Sequence, residues 1–101
     1  MIYSSTKTAA EVATALSKET GVMCKAYKAD VSNADEISAA LDKIVIDFGH
    51  LDIVVANAGI ASHYPAEDYT PAQFSDIMKI NLDGAFYTAQ SASRIFKRQH
   101  R

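Results

Sequence analysis

Four small groups of residues in this sequence could hold a ligand or move a proton. Tyr3 and Lys7 stand four apart in IYSSTK. On a helix that spacing puts an ammonium beside a phenol, lowers its pKa and prepares it for proton transfer. The intervening Ser-Ser-Thr is poor helix sequence, because hydroxyls compete for backbone groups, so a helix starting after Lys7 is the better reading. Asp30 offers a carboxylate acceptor, followed by Val31. Asn57-Ala58-Gly59 offers an amide, a small side chain and a glycine through which backbone can approach a flat ligand. Asn81 is a polar amide inside an apolar helical stripe. Singly, each has an ordinary explanation: an Asp before a helix cap is turn chemistry, and Asn-Ala-Gly is a turn.

The elements that must position these groups can be read from periodicity. Residues 8 to 20 place Ala9, Val12, Ala13 and Leu16 on one stripe and end at Gly21, which predicts a helix. Residues 22 to 29, between Gly21 and DVSN, read as a short strand. Ser32 with Asp35, or Asn33 with Glu36, could open the next helix as a capping box. Its apolar face, Ile37, Leu41, Ile44, Val45 and Phe48, runs up to Gly49. LDIVVAN, with its continuous apolar core, predicts a strand buried on both faces. Thr70, Pro71 and Gln73 then open a long helix whose stripe is Phe74, Ile77, Met78, Leu82, Ala85, Ala89, Ala92 and Phe96. Asn81 within that stripe would face the core. Helix and strand in alternation give an α/β fold with a parallel sheet, and there ligands lie beyond the carboxyl ends of the strands, at SSTK, DVS and NAG.

Taken in order, Asp30-Val31, Asn57-Ala58-Gly59 and Asn81 within KINLDGAFYTAQ resemble the short-chain dehydrogenase/reductase family of NAD(P)-dependent oxidoreductases. The resemblance covers essentially the whole chain. It implies that Asp30 and Val31 lie against the adenine, that Asn57, Ala58 and Gly59 support the sheet and the adenosine ribose, and that Asn81 belongs to a catalytic tetrad. VANAGI has Ala56 where the family more often has a first Asn. The fold implied is part of a Rossmann-type doubly wound parallel sheet, its second to fourth strands with flanking helices, and residues 1–101 form one partial dinucleotide-binding domain. In this register IYSSTK ends the second strand, so Tyr3 and Lys7 are not the family's Tyr-x-x-x-Lys. A permuted chain would need a Pro-Gly turn after the next strand, where this one has DVSNADE.

At the end of a second strand, an NAD enzyme places an acidic residue for the ribose 2'-hydroxyl. None occurs here before Glu11, and Ser5 and Lys7 suit a 2'-phosphate, which favours NADP(H), with NAD an option. A capped helix start with a solvated Lys7 explains the same residues. The resemblance further implies hydride transfer to or from a small carbonyl or alcohol, such as a sugar or polyol, in a family that is often homo-oligomeric. Its glycine-rich phosphate turn does not occur among Gly21, Gly49, Gly59 and Gly84, nor do its catalytic Ser, Tyr and Lys. The 101 residues are therefore expected to be inactive alone and to fold marginally or re-pair their strands, since the sheet lacks its middle strand. The alternatives are a nucleotide-binding or partner-docking module completed by another chain, and a truncated product without function.

The bulk composition narrows the partners. A net charge of -2 gives no electrostatic reason to bind nucleic acid or anionic membrane. Cys24 stands alone, which excludes an internal disulfide and fits a reducing, cytoplasmic setting. His50, His63 and His100 lack metal-ligand spacing, so no metal is expected. Arg94, Lys97, Arg98 and Arg101 near the end of the last helix complement its dipole, with a phosphate or protein-docking patch as the other reading.

Overall fold

The computed structural model describes residues 1–100, so Arg101 lies outside the described residues. Ile2–Tyr3 form β1 and Tyr27–Lys28 form β2, paired in parallel with Ile2 opposite Tyr27 and Tyr3 opposite Lys28. The Tyr27 N–H donates to the Met1 carbonyl at 2.9 Å and the Ala29 N–H to that of Tyr3 at 2.8 Å. These two strands are neighbours in the expected order, and among the described residues no other pairing replaces it. Between them runs helix α1, Ala9–Thr20, whose left-handed stop is Gly21 at φ 74°. Its stripe is only half buried: Ala9 and Ala13 are covered, whereas Val12 is 44% and Leu16 36% exposed. Helix α1 makes only slight contact with the other elements, which leaves the rest of that stripe partly exposed.

Helix α2, Ala34–Phe48, starts on Asn33, whose Oδ1 accepts the Asp35 and Glu36 N–H groups at 3.1 and 3.2 Å. Neither expected capping box closes. The Glu36 carboxylate accepts the Asp30 N–H instead, and the Ser32 hydroxyl donates to the Asp30 carboxylate. Helix α3, Pro71–Met78, does open on a complete box, with Thr70 and Gln73 bonded reciprocally. A π turn over Lys79–Asp83 then joins α3 to α4, Gly84–Gln99.

That π turn corrects the single long stripe read from the sequence. An i→i+5 turn inserts a residue and rotates everything after it. Leu82, inside the turn, stands 57% exposed, and α4 after it buries Gly84, Thr88, Ser91, Ala92 and Ile95; Phe74, ahead of the turn, is 59% exposed as well. Asn81 is exposed and not turned into the core. The core forms where α2 meets α4: Ile37, Ala40 and Leu41 against Ala92 and Ile95, with Ala29 beneath. Arg98 donates to the Asp42 carboxylate across the same helix pair at 2.9 Å, an exposed ion pair of the kind worth about 0–1 kcal/mol.

The strand expected at LDIVVAN does not form. A strand exists only through its neighbours' hydrogen bonds, and this segment has no ladder partner. Leu51 and Val54 pack against the core, while Ile53 and Val55 are 80% and 78% exposed. The result is an open slab of 48 × 32 × 17 Å. Its radius of gyration, 15.7 Å, exceeds the roughly 13 Å expected of a packed domain this long.

Candidate functional site: a cleft beside an unpaired segment

Between β1 and residues 51 to 58 lies a cleft of about 890 Å³. It is lined by Ile2, Ile53 and Val55, by Ile37, Leu41 and Ile44, and by Val31, Asn57, Ala58, Gly84 and Thr88. Two of the sequence-predicted groups thus line one cleft: Val31, in the β2–α2 turn, and Asn57-Ala58, at the end of the apolar segment. They lie where a parallel α/β sheet places ligands.

Gly84 explains how Val31 reaches this position. A Cβ on Gly84 would sit 2.7 Å from Val31 Cγ2, so only a glycine lets α4 pass so close to the β2–α2 turn. Sequence reasoning missed this residue, although a glycine inside a helical run is itself a signal of close approach.

Asp30 is turned away from the cleft and into its own turn. Its Oδ1 accepts the Ser32 N–H at 2.9 Å and the Ser32 hydroxyl at 2.7 Å. Those bonds, the hydroxyl's first, hold the carboxyl below the usual Asp range. The turn thus engages one carboxylate oxygen, Oδ1.

Asn81 and Gly59 meet at a second point. The Asn81 Oδ1 accepts the Ile60 N–H and its Nδ2 donates to the Ile60 carbonyl, both at 2.8 Å. A Cβ on Gly59 would stand 3.3 Å from that Oδ1, so the turn after Asn57 fits closely around the amide. The π turn aims Asn81 at Ile60 from the helix side. Here its side chain positions the chain leaving the cleft.

Ser5 and Lys7 lie in the bend after β1, exposed and outside the cleft lining. Tyr3 closes β1 while Lys7 sits in a turn, so the two do not share a helix face. No group of three or more His, Cys, Asp or Glu side chains is placed to hold a metal among the described residues. No helix among them is long and apolar enough to cross a membrane.

Sequence reasoning also missed Gln99, which grips the other end of the segment. Its Oε1 accepts the Leu51 N–H at 2.7 Å and its Nε2 donates to the Leu51 carbonyl at 2.8 Å. No local pattern marks a glutamine near a helix end for that task.

Element order and parallel pairing are those of part of a Rossmann-type α/β fold. The family model for short chain dehydrogenase matches residues 1–101, and the chain belongs to that family. It is 38% identical to a sorbose reductase of Schizosaccharomyces pombe over 101 residues, covering 98% of this chain and 40% of the relative. A probable NADP-dependent mannitol dehydrogenase of Yarrowia lipolytica is 39% identical over 100 residues, covering 97% of this chain and 36% of the relative. Among solved structures, a gluconate 5-dehydrogenase from Burkholderia cenocepacia, in complex with NADP and tartrate, superposes with a TM-score of 0.86 at 28% identity. That match covers 98% of this chain and 38% of the other. The chain thus spans about two-fifths of the length of the relatives it matches.

Proposed function

We propose that this chain supplies the adenosine-holding part of an NADP(H)-dependent oxidoreductase acting on a small carbonyl or alcohol of the sugar or polyol class. The observation that carries the reading is that Val31 and Asn57-Ala58 line the same cleft. There an apolar side chain can take one face of an adenine, and Asn57 offers donors and an acceptor to a ribose. The small Ala58 leaves room for both, so the residues fit the group. Ser5 and Lys7, exposed after β1, would face a 2'-phosphate with a hydroxyl and a cation. The names of the mannitol dehydrogenase and the NADP-bound gluconate dehydrogenase support both the cofactor and the substrate class.

When bound, NADP(H) supplies the hydride. The residues of this chain bind and orient: Val31 and Asn57 hold the adenosine end, and Asn81 fixes the backbone leaving it. Of the tetrad implied by the resemblance the sequence carries only Asn81, so the 101 residues alone are expected to turn over no substrate.

Saturation-transfer NMR with NADPH tests this. Transfer should reach the adenine protons and not the nicotinamide, at a Kd of about 1 mM or weaker, equivalent to about -4 kcal/mol. Val31→Asp should abolish it while the helical circular dichroism persists, and Lys7→Ala should erase any preference for NADPH over NADH. Equal transfer to both ends of the cofactor, or none, would overturn the reading.

A further inference from the structure

We propose that the outer edge of β2 and the adjoining flank of α2 form a two-fold interface with a second copy of this chain, joining the two sheets edge to edge. This surface lies on the side of β2 away from β1 and takes no part in nucleotide binding.

Half of the β2 backbone is committed to β1. The Tyr27 and Ala29 N–H groups donate to Met1 and Tyr3, so by the alternation of a parallel ladder Ala26 and Lys28 turn their N–H and C=O groups to the opposite edge. Among the described residues no strand pairs there. Such an edge is a template for a further strand.

Beside that edge, α2 encloses a groove of about 410 Å³, lined by residues 26–28 and by Glu36, Ala39, Ala40 and Lys43. The last four recur at three- and four-residue steps and so share one flank of the helix: an acid, two alanines and a base. Glu36, Ala39 and Lys43 are exposed. Glu36 uses only its Oε1, which accepts the Asp30 N–H at 3.3 Å. Lys43 makes no ion pair among the described residues, because the Asp47 carboxylate near it holds the Tyr27 hydroxyl and Lys25 instead.

Read backwards, this flank is the same pattern with its signs exchanged. Two copies of α2 laid antiparallel put each Glu36 opposite the other copy's Lys43 and Ala39 against Ala40, where short side chains let the helices approach. Laid parallel in register, they would set Glu36 on Glu36 and Lys43 on Lys43. Charge therefore selects the antiparallel arrangement. A two-fold axis normal to the sheet supplies it, and the same axis pairs the two β2 edges antiparallel. The register follows from the strand residues. With Tyr27 on the axis, Lys28 lies opposite Ala26 of the other copy, whereas an axis on Lys28 would set two lysines directly opposite each other. A foreign acidic strand would satisfy Lys28 and Lys43 but press its charge on Glu36. Only a partner with an acid and a base at this spacing in reverse order matches both, and the chain itself carries them.

Sedimentation equilibrium of the whole 101-residue chain, without nucleotide, tests this. The fitted mass should climb with concentration from 10.9 kDa toward twice that value and no further. Lys43→Glu and Glu36→Lys should each weaken the dimer tenfold or more, because every cross-helix pair then joins like charges. An equal mixture of the two variants should recover dimers, since each then faces the opposite charges of the other. Should Glu36→Lys lose its helical circular dichroism along with the Asp30 bond, Ala39→Arg, at an exposed position, takes its place and should leave only monomer. Association through the apolar cleft would ignore all of these changes. A chain that stays monomeric or grows past two copies overturns the proposal, as do variants that dimerise like the parent or fail to recover on mixing.

Discussion

Side chains of this protein repeatedly stand in for a neighbouring strand. Ser17 accepts the Cys24 N–H at 2.7 Å and donates to the Cys24 carbonyl, as Gln99 does for Leu51 and Asn81 for Ile60. Each replaces both bonds that a ladder would have made to one residue. Gly84 is the residue where packing leaves least room. Gly84→Ala should gain up to about 1 kcal/mol of helix propensity but lose about 1–3 kcal/mol by overpacking against Val31. A lower urea midpoint is expected, and adding Val31→Ala should turn the loss into a gain; a stabilised single variant would contradict the close approach. Tyr27 gives a pH dependence. Burial first, and its hydrogen bond to Asp47 second, push its phenol from 10.0 up to about 12. The folded chain therefore keeps a proton that the unfolded chain releases above the ordinary tyrosine pKa. Its contribution to stability is whole below pH 10.0 and is lost as pH rises toward about 12. Asp47 works in the opposite sense: the Tyr27 hydroxyl, ahead of Lys25 and Lys43, lowers its pKa, so its contribution stands above the normal carboxylate range and fades in acid as pH falls through the folded value. Urea midpoints measured between about pH 9 and 11.5 should fall, and Tyr27→Phe should flatten that fall relative to the parent. An equally steep decline in the variant would remove Tyr27 from the account.

At the scale of elements, boundaries set by local chemistry were legible and faces set by packing were not. Gly21 and Gly49 end α1 and α2 as their position after an apolar stripe implied, both with positive φ. Thr70, Pro71 and Gln73 open α3 as expected, because a capping box is made entirely within four consecutive residues. The caps differ in strength, which mutation can show. Asn33 bonds two amides, so Asn33→Ala should cost about 1 kcal/mol in the urea midpoint. Thr8 makes no side-chain cap bond, and Thr8→Ala should leave the midpoint unchanged. Equal losses from the two would mean that helix propensity, not capping, decides these termini. Of the face that α4 buries, Ala92 and Phe96 stood in the stripe read from the sequence, whereas Thr88, Ser91 and Ile95 did not, because a π turn leaves no mark in hydrophobic periodicity until the register has already shifted.

For the molecule as a whole, the sequence by itself determined the order of elements, most of their ends, and the family, since each depends on residues close together in the chain. Asp30-Val31 and Asn57-Ala58-Gly59 could be placed after a strand and an apolar segment without knowing what lay beside them. Tertiary structure alone decided that Val31 and Asn57 share a cleft, that Asp30 serves its turn, and that Asn81 grips Ile60 outside the core. It also decided the fate of LDIVVAN, whose pattern asks for a strand. A strand is a relation between chains of backbone, not a property of one, and with no neighbour bonded along it the segment stays unpaired, with Ile53 and Val55 exposed along the cleft.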